Sequence, residues 1–242
     1  MLDSSPPMQL SAAQVTVEQR NGALVLDTRP AEQFVSLHIR GSIQIGLLGY
    51  FASWAAILIE PTQRIVLIAE DLQRAQEAYT RLIRVGVRQV IGYSLPNEAE
   101  WRREGLELTK ISVLRCEQIV RTLESGMPLQ LIDVRSRAEW LKGDLPGAIS
   151  LPLQDLNPNT NPLDLSKPSL IYCHEGFRAT TAASILLQEG GAADAILMDG
   201  FEGWSALGLR NAGRVVLELT FRHLVLLEKL MIELEMGLRK LR

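Results

Sequence analysis

The chain has 242 residues, 47% hydrophobic and 22% charged, with a formal net charge of −3. That balance belongs to a globular protein with room for one large core or two small ones, and it leaves no electrostatic footprint for nucleic acid. No run of 18 apolar residues and no basic-then-apolar opening occurs, so neither a membrane span nor a secretory signal is expected. With only Cys116 and Cys173, the chain is not a disulfide scaffold, and a reducing, cytoplasmic setting is the expectation. His38, His174 and His223 are the only histidines, and no Cys-x-x-Cys or His-x-x-x-His spacing occurs, so neither a metal nor another cofactor is expected.

Taken in order, the chain alternates short aliphatic runs with helical patterns. Residues 23–26 and 65–69 read as buried parallel strands. Residues 75–85 place Ala75, Ala78, Leu82 and Ile83 on one helical face, and Gly86 marks the stop. Residues 130–133 and 170–173 are strands again, and residues 179–189 form a second such helix, stopped at Gly190. Alternation of this kind predicts α/β architecture with doubly wound parallel sheets. Ligands of such sheets bind beyond the carboxyl ends of strands. That singles out the loops from Ala69 to Arg74 and from Cys173 to Arg178.

The chain also repeats itself, which bears on the whole fold. Asp27-Thr28-Arg29 after an aliphatic run returns as Asp133-Val134-Arg135. Arg40-Gly41-Ser42-Ile43 returns as Pro146-Gly147-Ala148-Ile149 at the same offset. Ile65-Val66-Leu67-Ile68-Ala69 returns as Ser169-Leu170-Ile171-Tyr172-Cys173, and Trp101 returns as Trp204. Four ordered matches predict two copies of one domain, residues 1–110 and 111–212, followed by a tail, residues 213–242.

The second loop reads Cys173-His174-Glu175-Gly176-Phe177-Arg178 and opens a helix. Backbone N–H groups at a helix start have no intrahelical partner, and the helix dipole favours negative charge there. A loop wrapped around a sulfur at that place is an anion cradle, and its field favours the thiolate, the nucleophilic form. Gly176 allows a backbone turn closed to other residues, and Arg178 supplies a permanent cation with a planar fork of donors.

Asp133-Val134-Arg135, Leu145-Pro146-Gly147-Ala148, this loop, and Gly200-Phe201-Glu202-Gly203-Trp204 together resemble the rhodanese family. The resemblance implies two rhodanese-like domains in tandem and a two-step sulfurtransferase reaction. Cys173 would take a sulfane sulfur from thiosulfate or a low-molecular-weight persulfide as its own persulfide, and a thiol, sulfite or cyanide acceptor would collect it. His174, Glu175, Gly176, Phe177 and Arg178 would bind the substrate, with Arg178 drawing in an anionic donor. The alternative is a non-enzymatic sulfur carrier or scaffold that partners a sulfide- or persulfide-metabolising enzyme through its C-terminal helix. Related phosphatases place five residues between cysteine and arginine; here there are four, a cradle sized for one sulfur atom. Asp144 departs from the family's histidine, a difference expected to lie on the surface.

In the first copy Ala69 stands where Cys173 stands in the second, and Glu70 and Asp71 follow it. Alanine cannot attack sulfur, and carboxylates oppose both an anionic donor and a thiolate, so this copy is expected to be silent. Its residues from His38 to Ile43, with Phe51-Ala52-Ser53-Trp54, Arg84-Val85-Gly86 and Gly92-Tyr93, are similar to the rhodanese part of fused persulfide dioxygenases, which implies work beside a separate persulfide-oxidising enzyme. Cys116 reads as a core residue, and Trp54, Trp101, Trp140 and Trp204 as core packing. Arg135 is expected to form a structural ion pair near Glu139. In the tail, Leu217, Phe221, Leu224, Leu227, Met231, Leu234, Leu238 and Leu241 recur at spacings of three and four. That pattern predicts a long amphipathic helix that self-associates, packs on the two domains or holds a partner, with a homodimer through residues 214–242 as the expected arrangement.

Overall fold

A computed structural model describes residues 7–124, 129–156, 163–164, 167–188, 190 and 193–208. The predicted tail helix and its dimer contact lie outside the described residues. In the first half, α1 (Ala12–Arg20), β1 (Leu24–Asp27), α2 (Ala31–Ser36), β2 (His38–Ile39), β3 (Ile43–Gln44), α3 (Phe51–Leu58), β4 (Ile65–Ile68), α4 (Leu72–Arg84), β5 (Val90–Ser94), α5 (Glu98–Arg103) and β6 (Leu108–Thr109) follow one another. In the second half come β7 (Ser112–Leu114), α6 (Cys116–Glu124), β8 (Gln130–Asp133), α7 (Arg137–Trp140), β9 (Ile149–Ser150), β10 (Ser169–Tyr172), α8 (Phe177–Gln188), β11 (Ala195–Leu197) and α9 (Gly200–Ala206).

Each half builds its own sheet. The first has strand order β3-β1-β4-β5 and the second β7-β11-β10-β8-β9, with β2 and β6 forming a small separate pair. Every pairing within the two main sheets is parallel. The central strands β4 and β10 are buried along their whole length, as strands covered by helices on both faces must be. Helix starts are set by short polar side chains: Ser11 and Gln14 form a capping box on α1, Ser136 and Glu139 one on α7, and Asp71 caps α4. Trp101 and Trp204 are buried as expected, Trp54 packs at the core margin, and the Trp140 ring lies under Arg137.

The two halves share their largest core. Ile43, Leu47 and Phe51 from the first belong to one apolar cluster with Ile171, Ala182 and Leu186 from the second. Helix α8 stands at this junction, packed on β10 and β11 of its own sheet and on β3 and α2 of the other half. Its residues 179–186 are all buried, although Thr180, Thr181 and Ser184 are among them. A helix enclosed on every face is a core element, not a surface one.

Candidate active site

The Asp-x-Arg strand ends fold identically in both halves. Arg29 forks onto Asp27 at 2.6 Å and donates to the Leu37 carbonyl at 2.9 Å. Arg135 forks onto Asp133 at 2.5 Å and donates to the Gly143 carbonyl at 2.7 Å. Both pairs are almost fully buried, so each charge depends on its partner. Arg135 thus forms the structural ion pair expected of it, with Asp133 and not Glu139 as the partner. Asp133, two residues earlier, lies on the same side of the strand end and takes the guanidinium. The Arg135 guanidinium also covers the Phe201 ring at 3.8 Å, which ties the second strand end to α9. Asp144 is half-buried, not on the surface, and burial beside Asp133 raises its carboxyl above the ordinary range.

Strand β10 delivers Cys173 to the carboxyl end of the second sheet. Its side chain is 1% exposed and packs with Ile171, Ala179 and Ala182. His174, Glu175 and Phe177 are exposed, and Phe177 is more than half open to water. Gly176 has φ +87°, and a Cβ there would stand 2.7 Å from the Met198 carbonyl oxygen and sulfur. Only glycine meets both demands. Gly200, at φ +57°, lies against the back of the loop, where a Cβ would stand 2.6 Å from the Cys173 carbonyl oxygen and collide with the His174 carbonyl.

That close approach organises the loop. Phe201 N donates to the Cys173 carbonyl at 2.7 Å and Glu202 N to the His174 carbonyl at 3.1 Å. At the other end, Thr180 N and Oγ1 both donate to the Gly176 carbonyl, at 3.0 and 3.1 Å. The carbonyls of Cys173, His174 and Gly176 are thus turned into the protein. The amides of His174, Glu175, Gly176 and Phe177 take no hydrogen-bond partner among the described residues. A run of free amide donors directly after a cysteine is a feature that an anion-binding loop needs.

Arg178 is placed differently from the expectation of an open cation. Its Nη1 and Nη2 donate to the two oxygens of Glu139, each at 2.7 Å. That fork, with help from Ser136, holds the Glu139 carboxyl down at about 2, and Glu139 in turn raises the Arg178 guanidinium. The residue missed by sequence reading is Glu139. Its signal was the Ser136-x-x-Glu139 capping spacing, which names a helix start but not a partner 39 residues away. The donor atoms of His174, Glu175 and Glu202 lie within 4.8 Å of one another, but all three side chains are exposed, and exposed carboxylates gather in this way without an ion. Cys116 Sγ donates to the Gly200 carbonyl at 3.7 Å, and burial pushes its thiol up to about 11. It is a core residue, as its helical pattern implied.

A description of the rhodanese-like domain matches residues 11–94 and again residues 116–207. The chain is 26% identical over 99 residues to a sulfurtransferase of Allochromatium vinosum, covering 41% of this chain and 92% of that one. It is 26% identical over 97 residues to a candidate sulfur carrier protein, YrkF, of Bacillus subtilis, covering 40% of this chain and 52% of that one. The chain therefore spans about half the length of that carrier. A solved thiosulfate sulfurtransferase of Pseudomonas aeruginosa aligns with 83% of this chain and 42% of its own, at 19% identity and a TM-score of 0.36. No helix among the described residues is long and apolar enough to cross a membrane. The doubled match, laid over two parallel sheets with the same Asp-x-Arg strand end in each, shows that the chain belongs to the rhodanese-like domain family, as a tandem of two such domains.

Proposed function

We propose that the second domain is a sulfurtransferase whose nucleophile is Cys173 and that the first domain, with Ala69 at the matching position, is catalytically silent. The observation that carries this reading is the run of amides from His174 to Phe177, unpaired among the described residues, that directly follows Cys173 in the chain, with the Cys173, His174 and Gly176 carbonyls hydrogen-bonded into the protein. The Cys173 thiolate attacks the outer sulfur of the donor. The donor's sulfur–sulfur bond breaks and its electron pair leaves with sulfite or with a thiolate. Cys173 then carries a persulfide anion, which the loop amides stabilise. An acceptor thiolate, sulfite or cyanide attacks the terminal sulfur, and the electron pair returns to Cys173.

Charge bears on which donor enters. Arg178 is already forked onto Glu139 and Arg135 onto Asp133, while Glu175 and Glu202 stand exposed at the loop. A persulfide of low charge meets less repulsion there than the thiosulfate dianion. A persulfide donor and a cytoplasmic setting also accord with the resemblance read in the first domain's sequence to the rhodanese part of fused persulfide dioxygenases. The carrier reading rests on the likeness to YrkF and differs in turnover alone. Treatment with thiosulfate or glutathione persulfide should add about 32 Da, one sulfur, to the intact protein. Cys173→Ser should lose the adduct and all turnover, and Cys116→Ser should keep both. An adduct that survives Cys173→Ser would falsify the assignment. Stoichiometric loading without turnover to an acceptor would establish the carrier.

A further inference from the structure

Strand β3 is the edge of the first sheet, and an edge strand presents backbone groups that must be paired or covered. Here the cover comes from the other domain. Gln44 N donates to Ser184 Oγ at 3.0 Å, and Ser184 Oγ donates onward to the Thr181 carbonyl at 2.7 Å. The Gln44 side chain completes the link. Its Nε2 donates to the Arg29 carbonyl at 3.0 Å, and its Oε1 accepts from Thr181 Oγ1 at 3.3 Å. At the far end of α8, Gln188 Nε2 donates to the Gly41 carbonyl at 3.3 Å. Gln44, Thr181 and Ser184 are 2, 4 and 1% exposed.

This network holds α8 against both translation and rotation. Apolar packing alone is non-directional, whereas a satisfied buried polar network specifies one arrangement. The helix it holds is the one whose first turn continues the Cys173 loop, tied back to Gly176 through Thr180. The link runs one way. The position in the second domain that matches Gln44 is Ser150, whose hydroxyl has no hydrogen-bond partner among the described residues.

We infer that Gln44, in the domain without a nucleophile, is a positioning residue for the Cys173 loop of the other domain, acting through Thr181 and Ser184 on α8. The inference rests on the sulfur-transfer reading of Cys173. It assigns the silent domain a share in the reaction: it sets the register of the loop that follows Cys173. Small displacements of such a loop are costly, since misplacement by about 1 Å can cost on the order of a hundredfold in rate.

The test uses the full chain with Gln44→Met, which keeps side-chain volume and removes both side-chain hydrogen bonds, and the pair Thr181→Val and Thr181→Ser. Three quantities are read: the melting temperature, the pH profile of Cys173 alkylation by iodoacetamide, and kcat and KM for persulfide turnover. Gln44→Met and Thr181→Val should each lower kcat by roughly tenfold or more with KM little changed, and each should shift the alkylation profile. The double variant should lose little beyond either single one, and Thr181→Ser should behave as wild type. A lowered melting temperature with wild-type kcat and alkylation profile in Gln44→Met would reduce the residue to a domain buttress and overturn the inference. If Gln44→Met does not fold, the threonine pair decides alone: equal kcat and profiles in Thr181→Val and Thr181→Ser overturn it. Failure of the sulfur-transfer reading shows separately, as no mass gain at Cys173 in the wild type.

Discussion

The two strand-to-helix loops, from Ala69 to Arg74 and from Cys173 to Arg178, began as copies and now differ in more than the sulfur. In the second, the chain stays open through Gly176 and the helix starts at Phe177, leaving a row of amides unpaired. In the first, Leu72 stands at the place of Gly176 and already belongs to α4. Asp71 caps that helix and accepts from Arg74 N at 2.7 Å, so a carboxylate occupies the end where an anion would sit. Glu70 is hydrogen-bonded by Gln33 at 2.7 Å. The supports differ as well. Gly200 presses its backbone onto the carbonyls of the second loop, while the matching residue of the first domain, Asn97, is a plain helix cap that accepts from Glu100 N at 3.1 Å. The buried Asp-x-Arg pairs, by contrast, are the same in both domains. The frame is common to both domains, and the open loop belongs to the second alone.

That comparison can be broken most directly at Gly200. Gly200→Ala places a methyl group on the Cys173 and His174 carbonyls at a positive φ. The expected cost is about 1–3 kcal/mol of stability, together with loss of sulfur loading at Cys173, read by denaturant melts and intact mass. Loading at the wild-type rate would show that α9 does not shape the cradle. Asn97→Ala, its counterpart, should cost about 1 kcal/mol through the lost cap alone.

A smaller effect is expected from Glu139→Gln. The folded Glu139 carboxyl is depressed to about 2 from an ordinary 4.5. The pair with Arg178 therefore stabilises the fold fully above that ordinary value, and the contribution is lost as pH falls through the folded one. The gap in melting temperature between wild type and Glu139→Gln should be constant from pH 7 down to about 5 and should close as pH falls towards 2. A gap that stays open at acid pH would mean that something other than the ion pair supplies it.

The smallest effect is the sharpest statement about the silent loop. Ala69→Cys alone should gain no second sulfur, since α4 still begins at Leu72 and Asp71 still holds the helix amide. A two-sulfur mass gain from that single substitution would show that the cysteine was all the loop had lost. Ala69→Cys combined with Asp71→Ala and Leu72→Gly is the variant expected to begin loading.

Much of this was legible in the sequence because it is local or repeated. The strands, the two helices after the loops, the Asp-x-Arg ends and the cysteine loop are each carried by residues close in the chain, and the repeat doubled every signal. What stayed illegible is tertiary. Arg178 reads as an open cation until α7 brings Glu139 to it, and Arg135 looks available for Glu139 until Asp133 claims it. Nothing in the sequence singles out Thr181 and Ser184, because their partner, Gln44, lies 137 and 140 residues away. The silent loop showed its missing sulfur in sequence, but not that its helix had crept forward to close the gap.

The placement of Cys116 has a consequence for where a bound sulfur can go. Its thiol is held against the Gly200 carbonyl in the core on one side of the second sheet, while Cys173 packs in the core shared with the first domain. With a thiol pushed up to about 11, Cys116 is almost never a thiolate at neutral pH. No other cysteine exists in the chain. A persulfide on Cys173 therefore has no internal thiol to attack it, close an intramolecular disulfide and release the sulfur as sulfide. On the proposed reading of Cys173, the loaded chain would hold its cargo without a leak of its own making, and discharge would wait on a nucleophile that arrives from outside.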